Sequence, residues 1–197
     1  MFNKSFKPIL LATVFMVGTT ANAAQFVVEM AEPMTEDAVT AMGAMDISEV
    51  ESLDTAEKTY VVLDAEDKAT LDMFFDSNGI DPLKIKEVGF VNSPEVGGGE
   101  KAGAEPQPGH QSYVIERPVP GIGDLPLETQ KQLSMGSNAA LSQVGDGIEW
   151  VRSYLTDEGT YCVYRAVDTE KIVEHGKISE FPINTIAEIV PAGAAAQ

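Results

Sequence analysis

The sequence predicts an α+β fold: two ferredoxin-like βαββαβ domains in tandem, packed against each other as an intramolecular dimeric α+β barrel. Three observations predict it. With an offset of 101 residues and no gaps, 47–88 lies on 148–189 with 12 of 42 positions identical, among them Thr55/Thr156, Tyr60/Tyr161, Val62/Val163 and Asp67/Asp168. Both copies run through the same order of strand and helix patterns. Finally, the segments 59–65 and 160–164 are apolar or aromatic on both parities, Tyr60 and Val62 against Val61 and Leu63, Tyr161 and Val163 against Cys162 and Tyr164. A strand with one wet face would alternate, so these sheets are expected to be covered twice, by helices on one side and by the other copy on the second.

In the first copy, 24–91, the β-type run 26–30 precedes a short helix at 36–42, and strands at 47–53 and 59–65 follow. A helix over 68–78, stopped by Gly79, and a strand over 84–91 complete it. The second copy, 112–190, opens with a strand at 113–117 that matches 26–30 at an offset of 87. A Pro/Gly turn leads into a helix from Pro126 to about Val144. Strands at 148–155 and 160–164 are joined by Thr156-Asp157-Glu158-Gly159. Asp168-Thr169 caps a helix over 170–180, and 185–190 is the last strand. Between the copies, 92–111 is a linker or long mobile loop, since eight of the eighteen residues from Ser93 to His110 are Gly or Pro. The tail 191–197 has nothing to pack.

Charge and composition narrow the function. The chain has 197 residues, 13 Lys+Arg against 31 Asp+Glu, and a net charge of -18 with no basic run, which excludes a nucleic-acid partner. Residues 1–23 carry Lys4 and Lys7, an apolar run over 9–17 and Ala21-Asn22-Ala23, the pattern of a secretory signal peptide; the protein is expected to be exported, in a periplasm. No other segment approaches the roughly 18–20 apolar residues of a membrane span. With a single cysteine, Cys162, no intrachain disulfide forms, and the fold must rest on packing. A fused pair satisfies its own barrel interface, so a monomer is expected.

Candidate chemistry concentrates in the second copy, where matched positions change character: Glu49 becomes Trp150, Glu51 becomes Arg152, Val61 becomes Cys162, Leu63 becomes Tyr164 and Phe74 becomes His175. By the strand period of 2, Trp150, Arg152 and Tyr154 share one face of their strand, and Cys162 and Tyr164 one face of theirs. Core packing is the plain alternative for all of them. Glu29 and Glu116 hold the same place in the central first strands, where a carboxylate is costly unless hydrated, paired with a base such as Arg152, or bound to a cation. The candidate ligand-binding set is therefore Glu116, Trp150, Arg152, Tyr154 and Tyr164, and the candidate metal set Glu116, Cys162 and His175. His175 lies on the helix face that carries Leu71, Phe74 and Phe75 in the first copy, so it reads first as a core histidine. Cys162 reads first as a small buried hydrophobe. Strong metal, phosphate-loop and hydrolase motifs are absent.

The runs YVIERPVPG from Tyr113, SNAAL from Ser137, WVRSYLTD from Trp150, GTYCVYRA from Gly159 and EHGKISEFPINTIAEI from Glu174 resemble the family called domain of unknown function 4242. The resemblance covers 112–190, and the first copy joins it only as a degenerate repeat. It implies a small ferredoxin-like protein that pairs into barrels, with nickel as a cofactor of at least one member. The expected function is thus an exported, non-enzymatic protein that binds a transition metal such as nickel. The alternatives are an enzyme or carrier holding a small organic molecule in the barrel, and a structural or interaction protein without ligand.

Overall fold

The computed structural model describes residues 23–190. The predicted signal peptide, but for Ala23, and the tail lie outside the described residues. In order, the chain forms β1 (Ala24–Met30), α1 (Glu36–Met42), β2 (Ser48–Asp54), β3 (Thr59–Ala65), α2 (Lys68–Asn78), β4 (Lys84–Asn92), β5 (Gln111–Arg117), α3 (Leu127–Val144), β6 (Ile148–Thr156), β7 (Thr160–Ala166), α4 (Thr169–Ser179) and β8 (Thr185–Glu188).

The identities between the halves sit where the backbone needs a side chain. Asp67 and Asp168 cap α2 and α4, accepting from the amides of Thr70 at 2.8 Å and Lys171 at 3.1 Å. Thr55 and Thr156 close the β2–β3 and β6–β7 turns, each hydroxyl donating to the carbonyl three residues on, Lys58 at 2.7 Å and Gly159 at 3.0 Å.

The strands form one antiparallel sheet of eight in the order β2-β3-β1-β4-β6-β7-β5-β8. Each half has its strands in the order second, third, first, fourth, the ferredoxin-like arrangement. The expectation of two separate sheets stacked face to face is corrected here: β4 pairs with β6, which makes the two sheets one. The joined sheet curls until its far edges meet, and the Val190 amide donates to the Asp54 carbonyl at 2.8 Å just past β8 and at the end of β2. The result is a dimeric α+β barrel within one chain, and it leaves few strand edges open.

Three apolar cores follow from the alternation. Phe26, Val28, Val61, Leu63, Leu71, Phe74 and Phe75 pack the first half's sheet against its helices. Tyr113, Ile115, Trp150, Cys162, Tyr164 and Ile172 do the same in the second half. Between them, Val27, Leu53, Tyr60, Val62 from one half and Val114, Tyr154, Tyr161, Val163 from the other fill the barrel. A barrel of eight short strands is just wide enough for its own side chains.

The segment between the halves is not the mobile loop its composition suggests. It turns through a short 3-10 helix at Pro94–Gly97 and lies along α3. Ser134 donates to the Ser93 carbonyl at 2.6 Å and Asn138 to that of Pro94 at 3.0 Å. Farther on, Arg165 donates to the carbonyls of Gly103 at 2.6 Å and Ala104 at 2.9 Å. A Cβ on Gly97 would stand 2.5 Å from the Met135 amide nitrogen, so the glycine serves close approach to a helix as well as turning the chain.

Candidate functional site

A β-bulge decides which second-half residues meet. Trp150 pairs with Tyr164, but Arg152 pairs with Val163, so Val151 is the extra residue. The bulge breaks the period of 2. Trp150 and Ser153 face α3 and α4, whereas Val151 and Tyr154 face the barrel. The expected common face of Trp150, Arg152 and Tyr154 is therefore corrected. The first half bulges at the matched place, between Glu49 and Glu51.

As a result the candidate residues separate into three places. At one end of the barrel Glu51 meets Arg152 and Tyr154: Arg152 Nε donates to Glu51 Oε1 at 2.8 Å, and Arg152 Nη2 and the Tyr154 hydroxyl also reach this carboxylate. Glu51 and Arg152 are matched across the halves, so a pair of acid and base lies where a symmetric dimer would bring two copies of one residue together. An open cleft of about 390 Å³ borders this pair.

At the opposite end Glu116 and Glu29 make a crossed arrangement. The Tyr161 hydroxyl donates to Glu29 at 2.7 Å and the Tyr60 hydroxyl to Glu116 at 2.6 Å, each across the halves, with the two rings edge to face at 5.8 Å. Lys58, whose matched residue is Gly159, serves both carboxylates, standing 2.7 Å from Glu116 and in contact with Glu29. Burial pushes the Glu29 carboxyl up, but the bonds from Lys58 and Tyr161 outweigh it and hold it below the usual range. Burial likewise pushes Lys58 down, and its two carboxylates more than restore it. Both hydroxyls are driven up, first by burial and then by the carboxylates they bond. A polar cleft of about 160 Å³ adjoins Glu116 and Tyr161.

The third place lies on the helix side of the second half, and there Trp150, Cys162, Tyr164 and His175 converge. Trp150 stacks on Tyr164 with ring centres 6.5 Å apart, and His175 leans on the same Tyr164 ring with centres 5.3 Å apart. Trp150 Nε1 donates to Ser153 at 2.9 Å, and Thr160 and Cys162 lie in contact at 3.0 Å. His175 is 2% exposed. Its Nε2 lies 3.3 Å from the Ser137 hydroxyl and 3.4 Å from the Ser137 carbonyl, while Nδ1 has no partner. Burial, aided by the positive charge of Arg117 and opposed by the Ser137 carbonyl, pushes the imidazole down to about 4. The ring is therefore neutral at pH 7. Burial drives the Tyr164 hydroxyl up, further raised by Cys162 and eased by Arg117 and Ser137.

Trp150, Cys162 and Tyr164 border a cavity of about 50 Å³ between the sheet and α3, lined also by Arg117, Asn92, Ser137, Ile122 and Phe181, while His175 packs behind Tyr164 and does not line it. Arg117 and Ser137 were not among the candidate site residues, although both fall in runs that carry the family resemblance. Arg117 is simply the basic residue after Glu116, and only the helix-side parity of Tyr113, Ile115 and Arg117 along β5 could have placed it here.

Comparison with known proteins adds a family match and a set of structural likenesses. Residues 113–189, less than half of the chain, match the family model described as Nickel responsive protein SCO4226-like. No curated protein matches the chain. Among solved structures, the fold is similar to that of a chlorite dismutase mutant from Candidatus Nitrospira defluvii, at 9% identity and a TM-score of 0.48, over 88% of this chain and 93% of that one. The same enzyme in complex with imidazole gives 10% and 0.46 over the same shares. A proposed monooxygenase from Lactobacillus acidophilus gives 10% and 0.40, over 86% of this chain and 93% of that one.

The expectation of a non-enzymatic binding protein for a transition metal is corrected. Within the chain, Glu116 faces the barrel with Tyr161, while Cys162 and His175 lie across the sheet from it, so the three cannot ligate one ion. Among the described residues, no group of three or more His, Cys, Asp or Glu side chains is placed to hold a metal. Nickel has no preformed site of three such ligands among the described residues.

Proposed function

We propose that this protein is an enzyme or carrier for a small organic molecule, held in the cavity between the second half's sheet and α3. One observation carries the reading: of the five second-half positions that depart chemically from their first-half matches, four, Trp150, Cys162, Tyr164 and His175, gather at this place. In the first half the same positions hold Glu49, Val61, Leu63 and Phe74, the last three of them closed core. The cavity has stacked aromatic rings, a few hydroxyls and one charged group, the usual make-up of a small-ligand site. The barrel interior is filled by its own side chains, so the helix side serves as the binding place instead. We also read the two halves as copies of one domain, the first degenerate, and the leader pattern as that of an exported protein.

The test is thermal unfolding of the full chain against a panel of small organic molecules. A ligand at 100 times its Kd adds about 2.7 kcal/mol, which moves the midpoint by several degrees. Ser137→Val, which places apolar bulk at the cavity, should abolish the rise, and Arg152→Gln at the barrel end should not. The opposite pattern would move the site to the barrel, and mass analysis of a bound ligand after incubation separates turnover from carriage.

A further inference from the structure

We infer that the cavity's ligand is a small planar oxyanion, a carboxylate of three to five non-hydrogen atoms, anchored on Arg117; this rests on the reading of the cavity as the binding site. The chain has three arginines. Arg152 pairs with Glu51 and Arg165 with Glu149. Arg117, 5% exposed and therefore the most desolvated charge in the site, makes no ion pair among the described residues. Its Nη1 donates to the carbonyls of Phe181 at 3.2 Å and Pro182 at 3.3 Å, and its Nη2 is buried without a partner.

A guanidinium in this condition carries a desolvation cost that two carbonyl bonds offset only in part. The neighbouring Glu116 cannot help, because it points into the barrel and is bonded to Tyr60 and Lys58. The lining is also unusual for so acidic a chain. With 31 acidic residues against 13 basic, not one carboxylate borders the cavity, and its polar side chains, Asn92, Ser137, Ser153, Thr160 and Tyr164, can all donate hydrogen bonds. A guanidinium offering a free N–H beside hydroxyl donors suits a carboxylate, which only accepts. Size sets the rest: at roughly 10–15 Å³ per water-sized occupant, about 50 Å³ holds three to five atoms and excludes a nucleotide or a macrocycle.

Trp150 is the chain's one tryptophan and lines the cavity, so its fluorescence reports occupancy. The full chain is titrated at pH 7 with sodium formate, with sodium acetate, with formamide as the uncharged match of formate, and with sodium chloride at equal ionic strength. The expected result is saturable binding of formate or acetate at least tenfold tighter than formamide, absent with chloride, and weakened at least tenfold by Arg117→Met. Equal affinity for formate and formamide, or formate binding unchanged in Arg117→Met, would overturn the anion inference while leaving the cavity as the site. No saturable response to any of the three organic probes would remove both. The formate-to-formamide ratio in the unaltered chain decides even if Arg117→Met does not fold.

Discussion

Acid should destabilise this protein through His175 before its carboxylates begin to titrate. The imidazole is held at about 4 in the fold against an ordinary 6.5, because it is buried and shares its surroundings with Arg117. Between those values the unfolded chain takes up a proton that the folded one refuses. Stability is then lost as pH falls from about 6.5 toward 4 and is fully present above 6.5. At about 1.4 kcal/mol per pH unit, the difference amounts to about 3 kcal/mol. The assay is urea unfolding at intervals from pH 7.5 to 4, comparing the unaltered chain with His175→Phe. Phenylalanine is what the first half carries at the matched position, where Phe74 packs fully buried. The variant should lose about 3 kcal/mol less across this range, whatever its stability at pH 7. Parallel curves for the two proteins would refute the argument, showing that the ring is hydrated enough to titrate normally in the fold.

Two further outcomes test the barrel end and the segment between the halves. Lys58→Met leaves Glu29 and Glu116 without their shared cation and should cost roughly 2 kcal/mol at pH 7 by chemical denaturation. Because the lysine helps hold the Glu29 carboxyl below its ordinary 4.5, the deficit should be present above that value and shrink as pH falls through the lowered folded one; a deficit that does not change with pH would assign Lys58 a packing role only. Gly97→Ala drives a methyl into the α3 backbone and should cost about 2 kcal/mol while opening 92–111 to limited proteolysis, whereas an unchanged digestion pattern would show that the segment is held without this contact.

Local patterns located nearly every element, and the reason is that each boundary carries its own chemistry. Asp67 and Asp168 start helices, Gly79 ends one, and the Thr55 and Thr156 turns close hairpins using only residues three apart. The two-sided apolar character of 59–65 and 160–164 likewise announced a covered sheet, and the matched glutamates in the first strands announced a polar feature at its centre. What the linear pattern could not contain was register and curvature. The bulge at Val151 turns Trp150 away from Arg152 and toward Tyr164, and nothing in the order of residues marks where a strand will take an extra one. Gly and Pro between the halves suggested freedom, yet small residues also permit close contact, and α3 supplied the surface for it. Above all, the bond between Tyr161 and Glu29 spans 132 residues and the unpaired state of Arg117 depends on every side chain that could have reached it. The turns and helix starts were determined by neighbours in sequence; how the two sheets joined, which charge is paired, and which is left waiting in a cavity were decided only when the sheet curled and brought distant residues together.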